Sequence, residues 1–170
     1  MLRIFKLGLL FVIFLSFTGC HTGRKALIRQ EISKAEMKLG LSISKSDPLH
    51  LYLEAASWVG TPYRSGGTSK RGADCSGFTY SLYQNIYRKA LSRNSAEMYS
   101  RDCIRIRRKS KLKAGDLVFF RTGSQKQINH VGVYLKNNYF IHSATRGGVQ
   151  VNSLNEPYYQ RTYYRSGRVR

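Results

Sequence analysis

Acidic residues are scarce in this chain of 170 residues: nine Asp and Glu stand against 29 Lys and Arg, a formal net charge of +20. Such an excess attracts polyanions, although charge alone does not say which. Carboxylates are also missing where a metal site would need them, since none lies at a ligand-like spacing from the histidines. Cysteine is sparse, and three residues allow at most one internal disulfide. No internal repeat and no low-complexity tract is present, which removes repeat architectures. The one long apolar run, Leu7 to Phe17, is too short to span a bilayer comfortably. Length leaves room for one domain.

The apolar run is informative through its flanks. Arg3 and Lys6 precede it and Thr18-Gly19 follow, the layout of a signal peptide over residues 1–19. Cys20 comes next. A small residue and then cysteine after such a run resembles the lipobox of bacterial lipoproteins, in which the cysteine is acylated and becomes the mature N-terminus. Phe17 departs from the leucine usual three places before it. Removing Arg3 and Lys6 takes +20 to +18, so the charge belongs to the mature domain. An exported protein does not meet cellular nucleic acid, which leaves envelope polymers or lipid headgroups as anionic partners. Residues 20–46 are polar and basic and read as a lipidated tether with helical character from Lys25 to Leu39.

The domain is expected over residues 47–170. Asp47 as N-cap and Pro48 at the first helical position start a helix that Gly60 ends. A glycine loop from Gly66 to Gly72 then runs into Asp74-Cys75-Ser76-Gly77-Phe78. Phe78, Leu82 and Ile86 recur at helical spacing, so a helix runs from Cys75 to about Ala90. Asp74 is its N-cap, and Cys75 sits in the first turn, where the helix end favours thiolate. Ser95 caps a short helix to about Arg101. Beyond it the period changes to β-rich segments at 117–120, 131–135, 139–142, 149–151 and 163–169, separated by turn residues. Helices first and hairpin-linked strands after give an α+β domain with its N-terminal helices packed on an antiparallel sheet.

Cys75 is either a small core residue or a nucleophile, and the second reading needs a histidine brought from elsewhere. Cys75 and Cys103 could also pair as a disulfide; the plainer reading of Cys103 is a buried free thiol. Of four histidines, His21 and His50 have no partner by spacing. His130 and His142 share a sheet face if the β-hairpin between them turns through Lys136-Asn137-Asn138, which pairs Gly132 with His142. A two-residue turn would put them on opposite faces. Two histidines on one face suit a base and its orienter, or a metal; catalysis is the favoured use.

Five stretches now carry a family. Gly60-Thr61-Pro62-Tyr63-Arg64-Ser65-Gly66-Gly67, Asp74-Cys75-Ser76-Gly77-Phe78, Lys113-Ala114-Gly115-Asp116-Leu117-Val118-Phe119-Phe120, Asn129-His130-Val131-Gly132-Val133-Tyr134 and Phe140-Ile141-His142-Ser143 occur in this order. The series resembles the NlpC family of bacterial cell-wall cysteine peptidases over residues 48–169. The resemblance implies a compact papain-like fold, with Cys75 as nucleophile, His130 as general base and His142 as the residue that orients it. It also implies that Tyr63 binds substrate or steadies the oxyanion, and that Asp74 and Ser76 shape the cleft floor. The implied substrates are peptidoglycan stem peptides, cut between D-glutamate and a diamino acid or, in some members, at the cross-link. No cofactor or metal is implied. The expected protein is a monomeric envelope lipoprotein, acylated at Cys20, palmitate included, and held on the outer membrane facing the periplasm. Rival readings are a non-catalytic wall-binding lipoprotein and an amidase or acyltransferase using the same triad. Ser65 where the family often has Trp, Met98 where it often has Gln, and the basic run Arg105 to Lys111 depart from the pattern. The run reads as a solvated loop or edge strand, with a general attraction to anionic polymer.

Overall fold

A computed structural model describes residues 23–170, so the signal-peptide reading, Cys20 and His21 lie outside the described residues. Residues 23–39 form helix α1, followed by α2 (Leu49–Trp58), a small hairpin of β1 (Thr68–Ser69) and β2 (Gly72–Ala73), and α3 (Cys75–Tyr87). A single helical turn, α4 (Ser95–Glu97), widens into a π-turn at Met98–Asp102 and leads to β3 (Cys103–Ile106). The rest is mostly strand: β4 (Leu117–Phe120), β5 (His130–Tyr134), β6 (Tyr139–Ala144), β7 (Gly148–Ser153) and β8 (Tyr163–Val169), with the short helix α5 (Pro157–Thr162) before β8. The six longer strands form one antiparallel sheet in the order β3-β8-β4-β5-β6-β7. The α+β class expected from the sequence is therefore the class found.

Alternation along β4 explains why the sheet is buried on both faces. Leu117 and Phe119 join the main core with Leu51, Tyr52, Trp58, Phe78 and Leu82 of α2 and α3. Val118 and Phe120 face the other way, into a smaller cluster with Tyr134, Phe140, Leu154 and Tyr159. Successive strand residues point to opposite faces, and here each face has a cover: helices on one, α5 and its approach on the other.

Four local expectations are corrected. Residues 20–46 were expected to be a tether outside the domain, yet Ala35, Leu39 and Leu41 are buried in the main core. Their apolar positions are few, but they suffice to seat the end of α1 against α2. Asp47 does not cap α2. Its carboxylate accepts from Ser44 N at 2.7 Å and Ser44 Oγ at 2.8 Å and pairs with Lys136, so it closes the preceding turn. The cap of α4 is Asn94, whose Oδ1 accepts from Ala96 N and Glu97 N, and Ser95 is the first helical residue. Arg88, in the left-handed conformation at φ 54°, ends α3 earlier than expected.

The basic run lies where its bland reading put it. β3 is an edge strand, and Arg105, Arg107, Arg108, Lys109 and Lys111 are exposed along it and the loop that follows. Beside this run, buried Asp116 accepts from Arg168 Nε at 2.7 Å, Arg168 Nη2 at 2.8 Å and Lys113 N at 2.7 Å. This ties the turn before β4 to β8. The Tyr83 hydroxyl donates to the Gly115 carbonyl from α3 and secures the same turn.

Candidate active site

The start of α3 is welded to the glycine loop. Asp74 Oδ1 accepts from Gly77 N at 2.6 Å, as an N-cap should, while its Oδ2 accepts from Gly66 N at 2.7 Å. Ser76 Oγ donates to the Arg93 carbonyl at 2.7 Å and lies 3.1 Å from Asp74 Oδ1, and Arg93 Nη2 lies 3.6 Å from that same oxygen. Glycine is required at Gly77, because a Cβ there would lie 1.9 Å from the Gly67 carbonyl oxygen. Asp74 and Ser76, expected to shape the cleft floor, are thus turned under the helix end. Their side chains hold Cys75 in place and do not line the cleft.

The histidines come from the hairpin of β5 and β6. Its turn has three residues: Leu135 N donates to the Tyr139 carbonyl at 2.9 Å, and Asn137 and Asn138 take φ of 50° and 65°. Val133 pairs with Ile141 and Tyr134 with Phe140. Continuing that register sets Gly132 opposite His142. It puts the rings of His130 and His142 on one face, with Nε2 of His130 2.7 Å from Nδ1 of His142 and the rings nearly perpendicular. Asn129 steadies the strand entry, because its side chain bonds both N and O of Thr122 at 2.8 and 3.0 Å.

Cys75, Tyr63, His130 and His142 line one cleft of about 270 Å³, with Thr122, Asn129, Tyr158 and Tyr159 among its other walls. Cys75 and Cys103 are both free thiols, which excludes the disulfide that the sequence left open. Cys103 is buried, and burial pushes its thiol up to about 12. Ser65 is exposed and lies outside the cleft lining, and Met98 is fully buried in the core. Neither departure places a side chain against the thiol.

Electrostatics differ from the sequence expectation in one respect. The helix start alone would favour thiolate, but burial raises the Cys75 thiol, against N–H groups of Val131, Ser76 and Cys75 itself that favour the anion. Burial, followed by the neighbouring His142, lowers His130 to about 3. Burial likewise lowers His142 to about 4, against its bond to Asn152 and the charge of Glu156. Burial disfavours either charge standing alone, so a Cys75 thiolate is favoured where an imidazolium forms with it. Burial, then Cys75 and Asp74, raises the Tyr63 phenol, which stays a neutral donor at the cleft mouth with 37% of its surface exposed.

His142 has further neighbours that sequence reasoning missed. Its Nε2 is 2.9 Å from Asn152 Oδ1 and 3.1 Å from the Tyr159 hydroxyl. Asn152 reaches the site through the pairing of β6 with β7, which sets His142 opposite Gln150 and so Asn152 diagonal to His142. Arg146-Gly147-Gly148 gave the turn, but its loop length was needed to find the pair. Among the described residues no group of three or more His, Cys, Asp or Glu could hold a metal ion. A thiol and an imidazole on one cleft, with a second imidazole bonded to the first, are the groups that nucleophilic attack would require.

Comparison with known proteins places residues 60–168 in the NlpC/P60 family model. The chain is 49% identical over 112 residues to the "Probable endopeptidase NlpC homolog" of Haemophilus influenzae, covering 66% of this chain and 57% of that protein. It is 40% identical over 114 residues to the "Murein DD-endopeptidase MepS/Murein LD-carboxypeptidase" of Escherichia coli K12, covering 67% and 58%. The match thus spans somewhat more than half the length of these two relatives. Among solved structures, an NlpC/P60 family protein from Bacillus cereus superposes with a TM-score of 0.63 at 32% identity, covering 71% of this chain and 39% of that one.

Proposed function

This chain belongs to the NlpC/P60 family, with its papain-like fold, and on that premise we propose that it is a peptidoglycan endopeptidase working through Cys75, His130 and His142. One observation carries the reading: a half-buried cysteine at a helix start lines the same cleft as a histidine whose far nitrogen is held by a second histidine. Relatives named as endopeptidases, of murein in one case, supply the substrate class.

The chemistry follows from the placement. Nε2 of His130 is engaged by His142, which leaves Nδ1 as the ring nitrogen free toward the cleft. Cys75 Sγ forms a bond to the carbonyl carbon of the scissile amide as its proton passes to His130 Nδ1. The carbonyl electron pair moves onto oxygen, which the N–H groups at the start of α3 are placed to receive. The tetrahedral adduct collapses, the C–N bond breaks, and His130 gives its proton to the departing amine. Water then attacks the thioester while His130 takes its proton. A carboxylate product leaves and the thiol is restored. Tyr63, at the mouth of the cleft, donates its phenol to substrate or oxyanion.

The bond proposed is the amide between D-glutamate and the diamino acid of a stem peptide. The murein DD-endopeptidase name of the Escherichia coli relative favours a second target, the peptide cross-link. Cys20 is proposed as the lipidated residue, which would hold the enzyme as a monomer on the outer membrane, facing the periplasm. Digestion of purified peptidoglycan by the protein, beside Cys75→Ala, followed by mass analysis of soluble fragments, tests the activity and separates the two bonds. Identical fragments from both proteins would remove Cys75 as the nucleophile, no release by either would favour the wall-binding reading, and a product carrying the acyl group on a second amine would favour the acyltransferase.

A further inference from the structure

A neutral histidine exists in two tautomers, so a histidine that orients another must itself be fixed. Nε2 of His142 can carry a proton or a lone pair, and the choice propagates: a bare Nε2 puts the proton on Nδ1, which then faces the His130 Nε2 lone pair. His130 in turn would carry its proton on Nδ1, toward Cys75, and could not accept the thiol proton. The active arrangement needs His142 protonated at Nε2 and bare at Nδ1.

The groups behind His142 make that selection. Asn152 Nδ2 lies 3.2 and 3.1 Å from the two carboxylate oxygens of Glu156. A carboxylate only accepts here, so the amide must turn its NH2 to Glu156 and its Oδ1 to His142. The Glu156 carboxylate is itself anchored, because Oε1 accepts from Ser153 N at 2.7 Å. With Oδ1 at 2.9 Å, a bare Nε2 would set two acceptors face to face, whereas Nε2–H makes a normal hydrogen bond. The Tyr159 hydroxyl, 3.1 Å from Nε2 and 3.4 Å from Oδ1, fits the same assignment by donating to Oδ1. His142 is 1% exposed, so water does not compete for the position.

We infer that Asn152, held by Glu156, is a positioning residue that selects the His142 tautomer and, through it, leaves Nδ1 of His130 bare toward Cys75. The order of donation is then His130 Nε2–H to His142 Nδ1, His142 Nε2–H to Asn152 Oδ1, and Asn152 Nδ2–H to Glu156. Nothing in this row touches substrate. The catalytic consequence rests on the proposed role of Cys75 and His130, but the tautomers themselves do not.

The test is a long-range proton–nitrogen correlation spectrum of the full chain carrying 15N-histidine, at a neutral pH. The native protein is expected to show His130 and His142 both protonated at Nε2 and bare at Nδ1. In Asn152→Ala a mixture of tautomers is expected, with kcat on peptidoglycan fragments down roughly 10- to 100-fold and KM little changed. That range is what loss of an outer hydrogen-bond partner of a functional histidine costs in metal sites. Glu156→Gln removes the obligate acceptor that fixes the Asn152 amide, so an intermediate mixture of tautomers and a smaller loss of kcat are expected. A native spectrum with Nδ1–H on either ring overturns the inference, and so does an Asn152→Ala protein with native tautomers and native kcat. Because the spectrum needs no turnover, a failure of the peptidase reading would show as absent activity with the expected tautomers.

Discussion

Gly132 is the residue through which a single methyl group should disable the site. It pairs opposite His142, and a Cβ built on it would lie 2.7 Å from Phe140 Cδ2, 3.0 Å from the Ile141 carbonyl oxygen and 3.1 Å from His142 Cβ. Carbon atoms prefer about 3.5–4.0 Å, so the nearest contact is short by roughly 1 Å. One partner is backbone and cannot swing away, so β5 and β6 must part or shear. Overpacking of this kind costs about 1–3 kcal/mol. At about 2–4 °C per kcal/mol for a domain of this size, Gly132→Ala should lower Tm by roughly 2–12 °C. The rate should fall further than stability alone implies, because the displaced His142 can no longer hold His130 at 2.7 Å. Differential scanning calorimetry and kcat on peptidoglycan fragments read the two effects separately. Phe140→Leu has a cavity cost of its own but removes the nearest clash, so in that background Gly132→Ala should lower Tm by less than it does in the native protein, while His142 Cβ and the Ile141 carbonyl still oppose the methyl group. Native Tm and native kcat in the single variant would refute the packing argument.

Other outcomes follow from the buried polar groups. Asp116→Ala leaves the Lys113 N–H without its acceptor and Arg168 unpaired. With Arg168 half exposed, a loss of about 2–4 kcal/mol in urea unfolding is expected, with kcat of the remaining folded protein near native. His130 and His142 have folded pKa values near 3 and 4, below the ordinary 6.5. The unfolded chain therefore binds more protons between those values, so their contribution to stability is full above about pH 6.5 and is lost as pH falls toward 4. Tm should drop across that window, and less in a His142→Gln protein. The lowered carboxylates Asp47 and Glu54, where hydrogen bonds outweigh burial, act only from the ordinary carboxylate range downward, so the part of the window above about pH 5 reads the histidines.

Much of this site could be read from the chain because its parts are local. Asp74 caps the Cys75 helix as its position implies, and the register that unites His130 with His142 follows from a three-residue turn whose asparagines tolerate positive φ. What escaped was long-range. Asp74 and Ser76 lie beside Cys75 in sequence, but the Gly66 and Arg93 contacts that turn them away from the cleft come from distant segments. Asn152 meets His142 through a strand pairing whose loop length the turn residues alone did not fix, and Tyr159 does so through a helix too short to leave a periodic signal. The end of α1 escaped because three apolar side chains among many charged ones look like a tether until α2 is there to receive them.

In the proposed mechanism Cys75 carries the acyl group during hydrolysis of wall peptide. The most direct measurement is a digestion of peptidoglycan fragments sampled by acid quench, with intact protein mass and released peptides followed together for native protein and Cys75→Ala. Fragment release is expected from the native protein alone. A transient protein species is expected with it, heavier by the acyl part of the substrate and mapping to the peptide containing Cys75 and not Cys103. Release of the same fragments at the native rate by Cys75→Ala would contradict that mechanism.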